Sequence, residues 1–337
     1  MYTDEEIKDM SDEEYRNNLY SLWTNYCVSE SYEPGSTFKP VTVASALEEG
    51  VVKDGDTYVC RGFETVADYK LKCHVFSTIG SHGSLTVEQA LMNSCNPYMI
   101  HLALEMGNSR FAYYQSLFGF GKTTGIDLPG ETTGIVYGDR MTTIDAACNS
   151  FGQTINVNMM QMMAAYCSII NGGMLYQPHI VKRIESANGE VVKEYKANLV
   201  RQTITASTSK LLRRYLKNTV EEGTAKKAGV TGYSVAGKTG TAQKGDRKDN
   251  KWIISFIGHA PAENPKFAIY VVIDEPYGTT GTSGSSADVL TLTHNILEKL
   301  LPYMNVYKDA SDEYEDTSSS PDELTVDGIP AGTASSN

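Results

Sequence analysis

The sequence predicts an α+β fold built on an antiparallel sheet, and three observations carry that reading. Segments with helical periodicity dominate the chain before Gly232. Three strand-like runs then follow one another, two of them joined by a short turn, which is hairpin order rather than the alternation of a parallel sheet. A last helical segment closes the pattern. At 337 residues the chain can bury a full core as one large domain or two lobes. Its 41% apolar content excludes a wholly disordered protein.

Residues 1–19 form an acidic N-terminal segment in which Asp4 to Tyr20 can make a solvated helix with little to bury. "EPGSTFKPVTVASALEEG", Glu33 to Gly50, reads as a turn and then a helix ending at Gly50. Pro40 has no N–H and clashes with the carbonyl four residues back, so it belongs in a first turn, and regular helix is expected to begin near Ser36. "DTYVCRGFETVADYKLKCHV" alternates as strands do and predicts a small β excursion. "SLTVEQALMNSCNPYMIHLALEMG" predicts helices on both sides of Asn96-Pro97, with Pro97 opening the second. "GFGKTTGIDLPGETTG" is punctuated as a loop.

"TINVNMMQMMAAYCSIINGG" is apolar on every side and predicts a buried helix stopped by Gly172-Gly173, its methionines filling core. "SKLLRRYLKNTVEEG" is an amphipathic helix. "GYSVAGKTGTAQ", "KWIISFIGHA" and "KFAIYVVID" are the strands, "PAENP" turns between the last two, and "SADVLTLTHNILEKLLPYM" is the closing helix. Residues 308–337, rich in Ser, Asp and Glu, predict an acidic disordered tail. No internal repeat is present.

The formal net charge of −12 is unevenly placed. Residues 1–16 contribute −5 and residues 308–337 contribute −7, so everything between sums to zero. An acidic nucleic-acid mimic is a poor reading of two solvated ends, and no basic stripe points to nucleic-acid binding. No run reaches the ~18 apolar residues of a membrane-spanning helix, and the first residues are too acidic for a signal peptide. The cysteines (Cys27, Cys60, Cys73, Cys95, Cys148, Cys167) include no C-x-x-C pair, so spacing indicates neither a zinc site nor a thioredoxin-like motif. The histidines (His74, His82, His101, His179, His259, His294) show no ligand spacing and read as structural. No metal or cofactor is expected.

"GYSVAGKTGTAQ" admits two chemistries. Gly232, Gly237, Lys238 and Thr239 fit the phosphate-binding pattern G-x-x-x-x-G-K-[ST], and the same letters contain K-T-G, a signature of serine acyltransferases. A phosphate loop needs a helix opening after it, whereas the residues after Thr239 have no helical period and Tyr233 to Ala236 look like strand. "SLFGFGKT" is a near-miss, with Ser116 where the first glycine belongs. Nucleotide binding is therefore set aside.

The serine reading requires companions. S-x-x-K places a hydroxyl and an amine on one helix face. Ser36-Thr37-Phe38-Lys39 fits, as does Ser207-Thr208-Ser209-Lys210, which precedes an amphipathic helix and reads as ordinary N-capping. S-x-N occurs at Ser94-Cys95-Asn96, at Ser186-Ala187-Asn188 and at Ser335-Ser336-Asn337, whereas K-T-G occurs once, at Lys238-Thr239-Gly240. Only Ser36, Ser94 and Lys238 fall in order on a helix start, an interhelical turn and a strand.

At these residues the chain resembles a known family. "YEPGSTFKP", "NSCNP", "FGFGKTTGIDLPGE", "INVNMMQMMAAYCSIINGG" and "AGKTGTAQ" are similar to the transpeptidase domain of class B penicillin-binding proteins, nearest to the division and sporulation members, over about residues 20–305. The resemblance implies a penicillin-binding protein/β-lactamase-like fold, with a five-stranded antiparallel sheet flanked by helices, an all-helical subdomain and the active site between them. It implies domain limits of 20–307 and a peptidoglycan D,D-transpeptidase acting through an acyl-serine. Ser36 is then the nucleophile, Lys39 its base, Ser94 a proton relay and Lys238 a second cation. Asn96, Thr239, Gly240 and Thr241 bind substrate, Gly240 by leaving room for the acyl chain. The backbone N–H groups of Ser36 and Thr241 are the expected oxyanion hole.

Implied partners are peptidoglycan stem peptides, β-lactam antibiotics and membrane proteins of cell division or sporulation, at the extracytoplasmic face of the cell membrane, with no nucleotide or nucleic acid. A serine β-lactamase, a D,D-carboxypeptidase and a penicillin sensor are the alternatives, and a silent divisome scaffold a further one. A lactamase must activate water, and no clear Glu-bearing loop for that purpose is visible. The family's cytoplasmic tail, membrane helix, pedestal domain and first strand are not seen, so the chain reads as a fragment. Cys95 lies inside the second motif, while Cys60 and Cys73 flank the β excursion; their positions leave open a disulfide from Cys95 to one of them, Cys73 first, with buried free thiols the expected state.

Overall fold

The computed structural model describes residues 8, 10–245, 251–276 and 285–309. The tail beyond Asp309, the Ser335 match and the first seven residues lie outside the described residues. Within them, helix α1 (Asp12–Leu22) carries three acids in its first turn and is almost wholly exposed, as a solvated segment should be. A short α2 (Tyr26–Ser29), capped by Asn25, leads to the first motif.

Regular helix begins later than Pro40 alone suggested. A 3-10 turn (Gly35–Phe38) comes first, and α3 (Lys39–Glu49) starts at Lys39, with Pro40 in its first turn and Gly50 closing it at φ +78°. Strands β1 (Thr57–Cys60), β2 (Phe63–Val66), β3 (Tyr69–Lys72) and β4 (Gly83–Thr86) make the β excursion as two separate antiparallel pairs, β1 with β4 and β2 with β3. Helix α4 (Val87–Met92) opens on a Thr86–Gln89 capping box, and α5 (Asn96–Met106) opens at Asn96-Pro97.

Helices α6 (Asn108–Leu117) and α7 (Thr143–Asn149) follow on either side of the Gly-rich loop. Helix α8 (Met159–Ile170) is the apolar helix before Gly172-Gly173. The segment after it, which periodicity left unassigned, forms two further antiparallel pairs: β5 (Met174–Gln177) with β8 (Asn198–Gln202), and β6 (Arg183–Glu185) with β7 (Val191–Glu194). The turn joining β6 to β7 contains Ser186-Ala187-Asn188, so that S-x-N match is an exposed hairpin turn. Helix α9 (Ala206–Glu221) is capped by Thr205, not by Ser207, which sits inside its first turn.

The main sheet has the order β11-β10-β9, from β9 (Ala236–Lys244), β10 (Lys251–Ala260) and β11 (Phe267–Asp274), all antiparallel. Three described strands stand where the resemblance implies five. Residues Tyr233 to Val235 precede β9 rather than belong to it. Both faces of β10 are covered, which is why "IISFIGHA" reads as a continuous apolar run: Ile254 and Phe256 pack with Val289, Leu297 and Leu301 of α10 (Ala287–Tyr303), while Ile257 joins a helical core around Phe38, Leu91, Met99, Tyr166 and Leu212. β9 is an edge strand. Its free side runs along the Gly35–Phe38 turn, so the two cores meet at the first and third motifs.

Candidate active site

Ser36 sits in the 3-10 turn, where residues three apart eclipse, so its side chain and that of Lys39 rise from one face. Lys39 is fully buried. Its Nζ donates to Ser94 O (2.6 Å), Ser94 Oγ (3.0 Å) and Asn96 Oδ1 (2.6 Å), and Ser94 Oγ lies 3.0 Å from Ser36 Oγ as donor. Ser94 holds this position with φ +53°, a left-handed conformation that a non-glycine residue adopts only when its surroundings impose it. The three lysine bonds are part of that imposition.

Among the described residues Lys238 is the other fully buried lysine, and it is poorly satisfied. Its Nζ reaches Thr239 O and Thr239 Oγ1 at 3.3 Å and Thr224 Oγ1 at 3.5 Å. Among the described residues neither Lys39 nor Lys238 has an acidic partner. Burial therefore pushes both amines down: Lys39 to about 8, and Lys238 well below the usual lysine range, with the nearby Lys39 charge as a second cause.

The expected substrate-binding residues have the following surroundings. Asn96 is already engaged, Oδ1 with Lys39 and Nδ2 with Lys72 O at 3.3 Å. Thr239 is buried and shares its hydroxyl with Thr224 Oγ1 at 3.4 Å, while Thr241 is more open. A Cβ on Gly240 would meet Ser255 Oγ at 2.4 Å, Thr37 Cγ2 at 2.8 Å and Pro34 O at 3.0 Å. The missing side chain thus lets β9 pack on the nucleophile's own turn. Gly35 is the reciprocal case, with φ +57° and Thr241 O only 2.6 Å from where a Cβ would stand. This close approach brings the backbone of Thr241 beside that of Ser36.

Sequence reasoning passed over Thr224, which also bonds Met92 O and so ties β9 to the end of α4. Nothing in "EEGTAKK" marks it. A cavity of about 380 Å³ lies farther along β9, lined by Tyr26, Glu33, Gln243, Lys244 and Asp274, and holds none of the motif hydroxyls or amines.

Comparison with known proteins fits this geometry. The family model described as penicillin binding protein transpeptidase domain matches residues 3–298. The chain belongs to the penicillin-binding protein transpeptidase domain family. It is 40% identical over 288 residues to stage V sporulation protein D of Bacillus subtilis (84% of this chain, 44% of that protein) and 32% identical over 292 residues to the peptidoglycan D,D-transpeptidase FtsI of Escherichia coli K12 (85% and 46%). The chain thus spans less than half the length of these curated relatives.

Among solved structures, penicillin binding protein 3 of Mycobacterium tuberculosis superposes with a TM-score of 0.76 at 28% identity, covering 86% of this chain and 66% of that one. The same protein has been solved complexed with aztreonam and with ampicillin. The apo transpeptidase domain of penicillin-binding protein 3 from Burkholderia pseudomallei gives 0.75 at 25% identity, covering 86% and 84%. Among the described residues no helix is long and apolar enough to cross a membrane.

Proposed function

We propose that this penicillin-binding transpeptidase domain cross-links peptidoglycan stem peptides through an acyl-Ser36 intermediate. The observation that carries the reading is the unbroken line Ser36 Oγ–Ser94 Oγ–Lys39 Nζ, with each hydrogen bond at 3.0 Å. A serine hydroxyl is a weak nucleophile until a base takes its proton. With Lys39 neutral, its amine keeps its bonds to Ser94 O and Asn96 Oδ1 and turns its lone pair to Ser94 Oγ. As Ser36 Oγ attacks the penultimate D-alanine carbonyl, its proton passes to Ser94 Oγ while the Ser94 proton passes to Lys39. The ammonium of Lys39 then returns a proton through Ser94 to the leaving D-alanine nitrogen. The acceptor amine of a second stem repeats the sequence in reverse, transferring the acyl group and restoring Ser36.

The oxyanion is assigned to the N–H groups of Ser36 and Thr241, donors of a kind worth about 3–4 kcal/mol each. Lys238 and the Thr241 hydroxyl are assigned to the substrate's terminal carboxylate. An incoming anion supplies what the buried Lys238 lacks, an opposite charge that favours its ammonium form. The names of the sporulation and division relatives support a role in one of those processes, and the domain is assigned to the extracytoplasmic face of the cell membrane.

A fluorescent penicillin tests the reading. A long-lived adduct mapping to Ser36 by peptide mass, absent in Ser36→Ala, is the expected result. Rapid loss of label would assign a lactamase, and no label on folded protein would remove the acyl-serine mechanism.

A further inference from the structure

The fold assembles a second constellation behind the S-x-N turn. Cys60 is the last residue of β1, Cys73 caps the 3-10 turn His74–Ser77, His82 directly precedes β4, and Cys95 stands between Ser94 and Asn96. Their sulfur and nitrogen atoms all lie within 4.8 Å of one another, with the three cysteines buried and His82 half-buried. His82 Nδ1 is 3.8 Å from Cys60 Sγ and 3.6 Å from Cys73 Sγ. A tetrahedral zinc with Zn–S of about 2.3 Å and Zn–N of about 2.0–2.1 Å sets its ligands about 3.6 Å (N to S) and about 3.8 Å (S to S) apart. The observed N–S separations already match.

We propose that Cys60, Cys73, His82 and Cys95 form a structural zinc site. Linear spacing gives no sign of such a site, because these ligands are gathered by strand pairing rather than by a short sequence knuckle. Three thiolates and an imidazole favour zinc over hard cations such as calcium or magnesium, which take oxygen ligands. The surroundings are those of bound thiolates: the N–H of Gly62 points at Cys60 Sγ (3.4 Å), those of Asn96 and Val75 at Cys73, and that of Tyr98 at Cys95.

With four protein ligands the ion has no open position, so it binds no substrate. Binding exchanges thiol protons for zinc and moves no electrons. Its effect is mechanical: it ties the β excursion to the turn that carries Ser94 and Asn96, and so helps hold Ser94 at φ +53° against Lys39.

Metal content, rather than activity, is the test, so its failure and that of the acyl-serine reading are separable. The whole chain is purified under reducing conditions, exposed to zinc chloride, desalted and measured by mass spectrometry of its metals. One zinc per chain is expected, and cobalt(II) loaded in its place should give intense tetrahedral d–d absorption with a thiolate charge-transfer band. Cys60→Ser and His82→Ala, which touch none of the acyl-transfer groups, should each weaken zinc at least ~10–100-fold. Chelator should lower the unfolding temperature of the native chain and leave that of Cys60→Ser unmoved. The wild-type metal and cobalt readings decide even if a variant fails to fold. Zinc-free protein after loading, an octahedral cobalt spectrum, or a mapped disulfide among Cys60, Cys73 and Cys95 would each overturn the site.

Discussion

At Lys39 a single amine is surrounded by neutral acceptors and closed off from water. Desolvation penalises its charged form, so its pKa falls from the ordinary lysine value to about 8. Acylation needs the neutral amine, and the neutral fraction grows as pH rises. The rate of penicillin acylation should therefore climb with pH through about 8 and level off above it. Lys39→Gln keeps a polar side chain of similar reach but cannot take a proton. It should slow acylation by roughly 10²–10⁴ and abolish the climb. Second-order labelling rates across the pH range check both points, and an unchanged profile in the variant would transfer the base role elsewhere.

The edge strand and the nucleophile's turn act as one unit, and Gly240 is the point where they touch. Adding a methyl group there drives β9 against Thr37, Ser255 and the carbonyl of Pro34. Gly240→Ala should cost about 1–3 kcal/mol of stability as overpacking. A shift of about 1 Å between Thr241 and Ser36 should also cut acylation by on the order of 10². Denaturant midpoints and labelling rates measure the two effects separately. How much of this unit is legible in sequence follows from where the information resides. Ser36, Lys39, Ser94 and Lys238 are legible because each lies in a short motif and the motifs occur in a fixed order. The packing reason for Gly240, the part played by Thr224 and the Cys60–Cys73–His82–Cys95 cluster depend on which segments meet, and no local pattern encodes that. The nested pairs β5–β8 and β6–β7 are a different case, since Asn188-Gly189 between β-rich runs is a hairpin signal in its own right.

The whole molecule is two cores joined across the sheet, and the α+β order of helices, then strands, then a closing helix was legible from periodicity alone. At the start of the acidic segment expected from residue 308, Asp309 accepts from Ser234 N at 2.7 Å and also from its hydroxyl, tying the chain after α10 to the approach to β9. The joint between the cores includes a histidine that composition could only label structural. His259 of β10 is fully buried, its Nδ1 2.8 Å from Tyr166 Oη of α8 and its Nε2 3.0 Å from Ala262 O. Burial lowers its pKa to about 4, so it stays neutral in the folded protein. In the unfolded chain it takes a proton near the ordinary value of about 6.5. Between these two values the unfolded state binds more protons than the folded one, so stability falls as pH falls. Fully developed, the loss is roughly 3 kcal/mol, and above about 6.5 the contribution is complete. His259→Gln has no such titration, so the difference in urea midpoint between neutral and mildly acid buffer should be clearly smaller in the variant than in the native chain. Equal differences in the two proteins would mean that acid loosens the joint between sheet and helices through some other group.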